Sequence, residues 1–74
     1  MEHTYTIIKP FSAHSMGIDF YKGDILEVNT KPMMLGYKIE HGLKKATIYC
    51  NGFFYENFLL WHGSRIKEHK WNHI

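Results

Sequence analysis

The chain has 74 residues and one cysteine, so it has the length of one small domain and cannot form an internal disulfide. Its formal net charge of +2 falls short of the strongly basic balance of dedicated nucleic-acid-binding domains. No apolar run reaches the roughly 18 residues of a membrane span, and Met1 to Tyr5 lacks the pattern of a signal peptide. These features predict a single cytoplasmic domain over residues 1–74, without a membrane segment and with a core from about residue 4 to residue 71.

The aromatic content is 16%, with five Phe, five Tyr and two Trp. A domain of this size buries only about 60% of its unfolded surface. Each buried ring removes roughly 150–250 Å² from water, so most of these rings are expected in the core.

The first half of the chain predicts two strands separated by a long loop. Thr4–Lys9 is β-branched and aromatic, and Pro10 ends it. Phe11–Tyr21 is rich in Ser, His and Gly, which indicates an irregular loop. The Gly23-Asp24 pair then favours a chain reversal before a second strand over Asp24–Asn29.

The middle of the chain predicts a hairpin. Gly36–His41 alternates apolar and polar residues, as a half-buried strand does. Gly42–Lys45 indicates a turn, and Ala46–Cys50 returns as the next strand. Asn51-Gly52 predicts another turn, because both residues tolerate positive φ.

The last third is ambiguous between strand and helix. Phe54, Phe58 and Trp61 lie at helical spacing, which favours a short helical turn around Tyr55–Leu59. Ser64–Trp71 predicts a last strand, followed by frayed residues. The whole pattern predicts a mainly-β fold: a small five-stranded barrel with one short 3-10 or helical turn.

Three segments resemble the Src-homology-3 (SH3) family. Residues 4–13 look like its first strand and Ala-Leu-Tyr-Asp-Tyr segment, and residues 20–28 look like its Phe-x-Lys-Gly-Asp turn and second strand. Residues 52–59 resemble its Gly-x-Phe-Pro-x-Asn-Tyr-Val segment, where the family has a 3-10 turn beside its peptide groove. The resemblance implies an SH3-like barrel.

The departures from the SH3 family fall on its binding face. Lys9, Phe11 and Tyr55 replace two groove tyrosines and a proline, and Phe58 replaces the last tyrosine. The groove tryptophan has no counterpart before Tyr37. Since proline-peptide recognition needs an aromatic-lined slot, the sequence disfavours that function.

Protein binding is the predicted function. The Met33-Met34-Leu35 run follows Pro32 in a loop, where apolar side chains are difficult to bury. The aromatic run after Gly52 adds a second cluster. The predicted contact residues are Met33, Met34, Leu35, Tyr37, Phe53 and Tyr55.

Two other functions remain open at this point. A nucleic-acid-binding barrel would place lysines along a backbone and stack rings on bases. Its candidate residues are Lys38, Lys44, Lys45 and Tyr37. A structural subunit that self-assembles through an exposed edge strand is the second alternative. In general style the chain is similar to small phage accessory proteins that bind and redirect a host factor.

Catalytic and metal sites are not predicted, and neither is a cofactor. His69 and His73 have the spacing of two ligands on a helix, but a closed site would also need Cys50 and His62. A nucleophilic Cys50 paired with His41 or His62 lacks a third, orienting residue. The apolar strand around Cys50 predicts a buried, inert thiol.

Overall fold

The computed structural model describes residues 2–69, which form seven strands, one α-helix and two 3-10 turns. The strands are β1 (Glu2–Ile7), β2 (Phe11–Ala13), β3 (Ile18–Phe20), β4 (Ile25–Thr30), β5 (Tyr37–Gly42), β6 (Lys45–Cys50) and β7 (Ile66–Glu68). The helix is α1 (Gly52–His62), and the 3-10 turns span His14–Met16 and Gly63–Arg65.

Five strands form the main sheet in the order β5-β6-β4-β1-β7, while β2 and β3 form a separate hairpin. The β4–β6 pair is parallel, and the other neighbouring strands are antiparallel. The mainly-β fold with five strands in its sheet and a short helix is confirmed.

The predicted closure into a barrel is wrong for the described chain. The strands β5 and β7 end the sheet on opposite sides, and they are not paired with each other within residues 2–69. After β4 the chain crosses to the outer edge of the sheet and forms β5 there. It then returns as β6, which lies between β5 and β4. The sheet therefore stays open.

The core lies on one face of the main sheet. Strand alternation directs every second side chain to that face, and the pairing aligns Val28 with Ile48 and Tyr5 with Leu26. The helix and the β2–β3 hairpin supply the remaining core residues. The buried set is Tyr5, Ile7, Ala13, Ile18, Phe20, Leu26, Val28, Ala46, Ile48, Cys50, Phe58 and Ile66.

The predicted chain reversal at Gly23-Asp24 is present in the structure. Gly23 has φ of +94°, which L side chains rarely adopt. Its N–H donates to the Ile7 carbonyl at 2.8 Å, and the Tyr21 N–H donates to the Asp24 carboxylate at 2.9 Å. These bonds hold the start of β4 beside the end of β1.

Several predicted boundaries are wrong. The first strand covers Glu2–Ile7 instead of Thr4–Lys9, and the helix extends beyond the predicted turn at both ends. The predicted loop over residues 11–21 contains β2, a 3-10 turn and β3, because its alternating apolar residues pair across the left-handed Gly17. Asn51-Gly52 is not a reverse turn, since Asn51 is extended and caps α1. The last strand covers Ile66–Glu68, because Ser64 and Arg65 belong to the second 3-10 turn; residues 70 and 71 of the predicted range lie outside the described residues.

Candidate functional site

The outer face of α1 exposes three large apolar side chains beside the exposed Glu56. Phe53, Leu60 and Trp61 expose 76%, 81% and 61% of their surface. The inner face of the same helix buries Phe58 and packs Phe54 on the core. A helix with large apolar side chains on several sides usually has neighbours on those sides, so the exposed half of α1 is a candidate contact surface.

An apolar cleft of about 310 Å³ lies beside this face. Aromatic rings from β5 and α1 dominate it, and backbone and neutral polar groups complete it. The lining residues are Ser15, Gly36, Tyr37, Asn51, Phe53, Phe54, Asn57 and Trp61.

The Tyr37 side chain forms one wall of the cleft. Its hydroxyl donates to the Ser15 carbonyl at 2.7 Å, and its ring centre lies 4.9 Å from that of Phe54. A tilted ring pair at this distance adds roughly 0.5–1.5 kcal/mol to area burial. Tyr37 thereby ties together β5, α1 and the first 3-10 turn.

Asn51 fixes where the helix starts relative to the loop over residues 31–36. Its side-chain oxygen accepts a hydrogen bond from the Phe54 N–H at 2.8 Å, which caps α1. Its amide nitrogen donates to the Met34 carbonyl at 3.2 Å. One side chain therefore positions both borders of the cleft.

The residues that line the cleft carry no charge. Asn57 contributes an amide, whose nitrogen donates to the Phe53 carbonyl at 3.0 Å. Trp61 contributes an indole N–H donor at the outer rim. The arrangement can hold apolar side chains and form hydrogen bonds with a polypeptide backbone.

The structure brings Tyr37 and Phe53 of the predicted contact set together in this cleft. Met33 and Leu35 are 92% and 98% exposed in the loop that leads to its Gly36 wall. Met34 is half-buried and contacts a different depression, beside Lys38 and Tyr49 on the opposite face of the sheet.

Tyr55 lies away from the cleft. Its hydroxyl forms a hydrogen bond with that of the buried Tyr5, and its ring stacks on His3 at 4.7 Å between centres. Burial raises the pKa of both tyrosines above the ordinary value of 10.0. This environment makes Tyr55 a packing residue of the helix.

The predicted nucleic-acid set is divided between two faces. Lys45 pairs with Glu27 at 2.9 Å and Lys38 with Glu40 at 3.4 Å, on the face of the sheet opposite the core. Lys44 lies in the hairpin turn with φ of +60°, while Tyr37 belongs to the helix-covered side. The aromatic ring on the same face as these lysines is Tyr49, and the Lys31 Nζ atom lies 5.3 Å from its centre.

The side chains considered as possible metal ligands or catalytic groups do not form a metal-ligand cluster within residues 2–69. Cys50 is buried in β6, and burial raises the pKa of its thiol, which agrees with the predicted inert cysteine. His41 pairs across the sheet with Ala46, four residues from Cys50 along β6. No three metal-ligating side chains cluster within residues 2–69, and His73 lies outside them.

His62 is enclosed by aromatic rings. Its ring centre lies 4.5 Å from that of Phe11 and 5.0 Å from that of Phe58. Its buried Nδ1 atom has no hydrogen-bond partner in the described part of the chain. Burial, with a smaller effect of the Arg65 charge, lowers the pKa of His62 below its ordinary value of 6.5.

The predicted contact set omits Phe54, Asn57 and Trp61, which also line the cleft. The helical spacing of Trp61 with Phe54 and Phe58 indicated a helix, but Trp61 lies exposed at the rim of the cleft. The available signal was the composition of Gly52–His62, in which large apolar side chains occur on more than one side of the helix. One helix on a small sheet cannot bury all of those side chains.

No protein-family model matches the chain, and the comparisons with curated proteins and with solved structures gave no match either. None of the helices in residues 2–69 has the length and apolar character needed to cross a membrane.

Proposed function

We propose that the protein is a non-catalytic binding module that holds an uncharged, apolar segment of a partner protein in the aromatic cleft. The observation that carries this proposal is the exposure of Phe53 and Trp61 beside an apolar cleft that already contains Tyr37. Exposed apolar patches of this kind mark interaction surfaces, and Trp and Tyr dominate binding energy at such surfaces.

The chemistry of the lining defines the partner. Because no lining residue is charged, a charged side chain would be desolvated there without an opposite charge. The volume of about 310 Å³ is at the small end of ligand pockets, which suits one or two apolar side chains of a peptide segment. The Trp61 indole N–H and the Asn57 amide are suited to the backbone of that segment.

Purified protein with substitutions in the cleft tests the proposal. Phe53→Glu and Trp61→Glu should each abolish capture of a partner from lysate, because both place a charge on the apolar surface. Tyr21→Glu is the matched control: Tyr21 is 63% exposed but does not line the cleft. Circular dichroism checks that every variant is folded.

Capture alone is not sufficient, so the recovered partner must then be titrated directly. In a Trp71→Phe background, Trp61 is the remaining tryptophan, and its fluorescence should shift to shorter wavelength as the partner covers it. A partner that binds the wild type and both cleft variants equally, without a fluorescence change, would overturn the proposal.

Nucleic-acid binding has less support, since Lys38 and Lys45 are paired with glutamates and Tyr37 lies on the other side of the sheet. A cytoplasmic location and a role in modulating a host protein remain part of the proposal. The support for the location is the single unpaired thiol of Cys50, which fits a reducing compartment.

A further inference from the structure

The strand β5 presents an uncovered edge. It ends the main sheet and pairs with β6 alone within residues 2–69. All of its residues are exposed except Ile39, which is half-buried. Its outward N–H and C=O groups are therefore available to another strand.

The sequence around β5 is self-complementary about Ile39. The residues next to Ile39 carry opposite charges, Lys38 before it and Glu40 after it. Moving further out on each side, the chain has an aromatic ring, then a glycine, then a leucine. The segment reads Leu35-Gly36-Tyr37-Lys38-Ile39-Glu40-His41-Gly42-Leu43.

Two such strands can pair antiparallel with Ile39 opposite Ile39, and no like charges then face each other. Lys38 then faces Glu40 of the second copy, and this ion pair occurs twice. Leu35 and Leu43, which are 98% and 93% exposed in one copy, flank β5 on its two sides, so each end of the pair brings a Leu35 near a Leu43. Opposite charges and apolar pairs in directly opposed positions stabilise antiparallel strands.

The charge pattern selects this register over its neighbours. A shift by two residues places either Lys38 opposite Lys38 or Glu40 opposite Glu40, and directly opposed like charges destabilise a sheet. A shift by one residue would place the core side of one strand against the polar side of the other. The register centred on Ile39 is free of both conflicts.

We propose that two copies of the chain associate through antiparallel β5 strands, joining the two main sheets edge to edge. The Lys38–Glu40 pair within one copy does not compete strongly with this arrangement. Its side chains are 66% and 57% exposed, and exposed pairs of this kind contribute little to stability. The dimer uses the backbone edge of β5, whereas the aromatic cleft uses the Tyr37 side chain on the helix side of the sheet.

Sedimentation equilibrium over a range of protein concentrations tests the proposal. The wild type should show a monomer–dimer equilibrium. Lys38→Glu or Glu40→Lys alone should weaken the dimer about tenfold or more, since both cross-strand pairs become repulsive. The double exchange K38E/E40K restores opposite charges in every pair and should restore dimerisation.

Lys67→Glu is the matched control. Lys67 is an exposed lysine in the strand at the other end of the sheet, and its reversal changes the net charge equally. It should leave the dimer unchanged. Thermal unfolding of each variant separates loss of association from loss of the fold.

Disulfide formation checks the register itself. A mixture of K38C and E40C proteins should give a mixed disulfide-linked dimer, while either variant alone should cross-link poorly, because identical positions are offset along the strands. A protein that stays monomeric up to millimolar concentration would overturn the proposal. A dimer that is insensitive to both charge reversals would also overturn it.

Discussion

At the scale of single residues, Tyr55 was predicted to bind a partner but packs against its own chain. Its ring and hydroxyl contact His3 and Tyr5, on a different side of the helix from the cleft. The sequence grouped it with Phe53, because adjacent aromatic residues look equivalent before the helix is placed.

Tyr55→Phe should lower the free energy of unfolding by about 1–3 kcal/mol, because the buried Tyr5 hydroxyl would lose its partner. The double variant Y5F/Y55F removes both hydroxyls and should recover much of that loss. Urea unfolding measures both effects. Equal stability of the single and double variants would show that the hydroxyl pair is not the cause.

His62 makes the free energy of unfolding depend on pH. Its folded-state pKa is lowered, so the unfolded chain binds a proton more readily. The stabilising contribution is complete above pH 6.5 and is lost as the pH falls from 6.5 towards the folded-state pKa.

His62→Phe should weaken this loss of stability while keeping an aromatic ring against Phe11 and Phe58. At pH 7.5 it should be neutral or stabilising, since it also removes the unpaired Nδ1 atom. Thermal unfolding midpoints between pH 7.5 and pH 5 provide the comparison. His14→Gln, at an exposed histidine, should retain the wild-type pH dependence; a variant H62F with the same dependence would contradict the assignment.

At the scale of elements, Asn51 decides how the helix and the preceding loop meet. The dipeptide Asn51-Gly52 predicted a reverse turn from its tolerance of positive φ. The same asparagine is also among the preferred N-cap residues, and an apolar helix with a sheet to cover favours the cap.

Asn51→Ala should lower stability by about 1–3 kcal/mol, because it removes both the helix cap and the bond to the Met34 carbonyl. Asn51→Asp keeps an acceptor for the Phe54 N–H and should fall between the wild type and the alanine variant. Chemical unfolding ranks the three proteins. Equal losses in both variants would mean that the cap contributes nothing.

At the scale of the whole molecule, stability depends on a small core shared by several elements. Ile48 is buried at the centre of that core, where β6 lies between Val28 of β4 and Ile39 of β5. Natural domains are stable by only about 5–15 kcal/mol, and a 74-residue chain buries a smaller fraction of its surface than a larger one.

Ile48→Ala should cost about 2–5 kcal/mol, and Ile48→Val about 0.5–1.5 kcal/mol. Thr47→Ala, on the opposite face of the same strand, should change stability by less than about 0.5 kcal/mol. Denaturant unfolding tests the order. Similar costs for Ile48→Ala and Thr47→Ala would contradict the assignment of the buried face.

Local patterns in the sequence determined much of the secondary structure. The alternation over residues 36–41 and 46–50 and the turn between them were predicted to within one residue. The Gly23 turn was also found, because its geometry depends on a few adjacent residues. These features need no knowledge of distant parts of the chain.

Only the tertiary structure decided the strand order and the exposed surface. The parallel contact of β4 with β6, and hence the open β5 edge, joins strands that are separated along the chain. Which half of α1 is exposed depends on where the sheet lies, since its large apolar side chains are not confined to one side. Neighbouring residues determine local backbone geometry, whereas burial depends on long-range packing, and the cleft and the edge are both consequences of that packing.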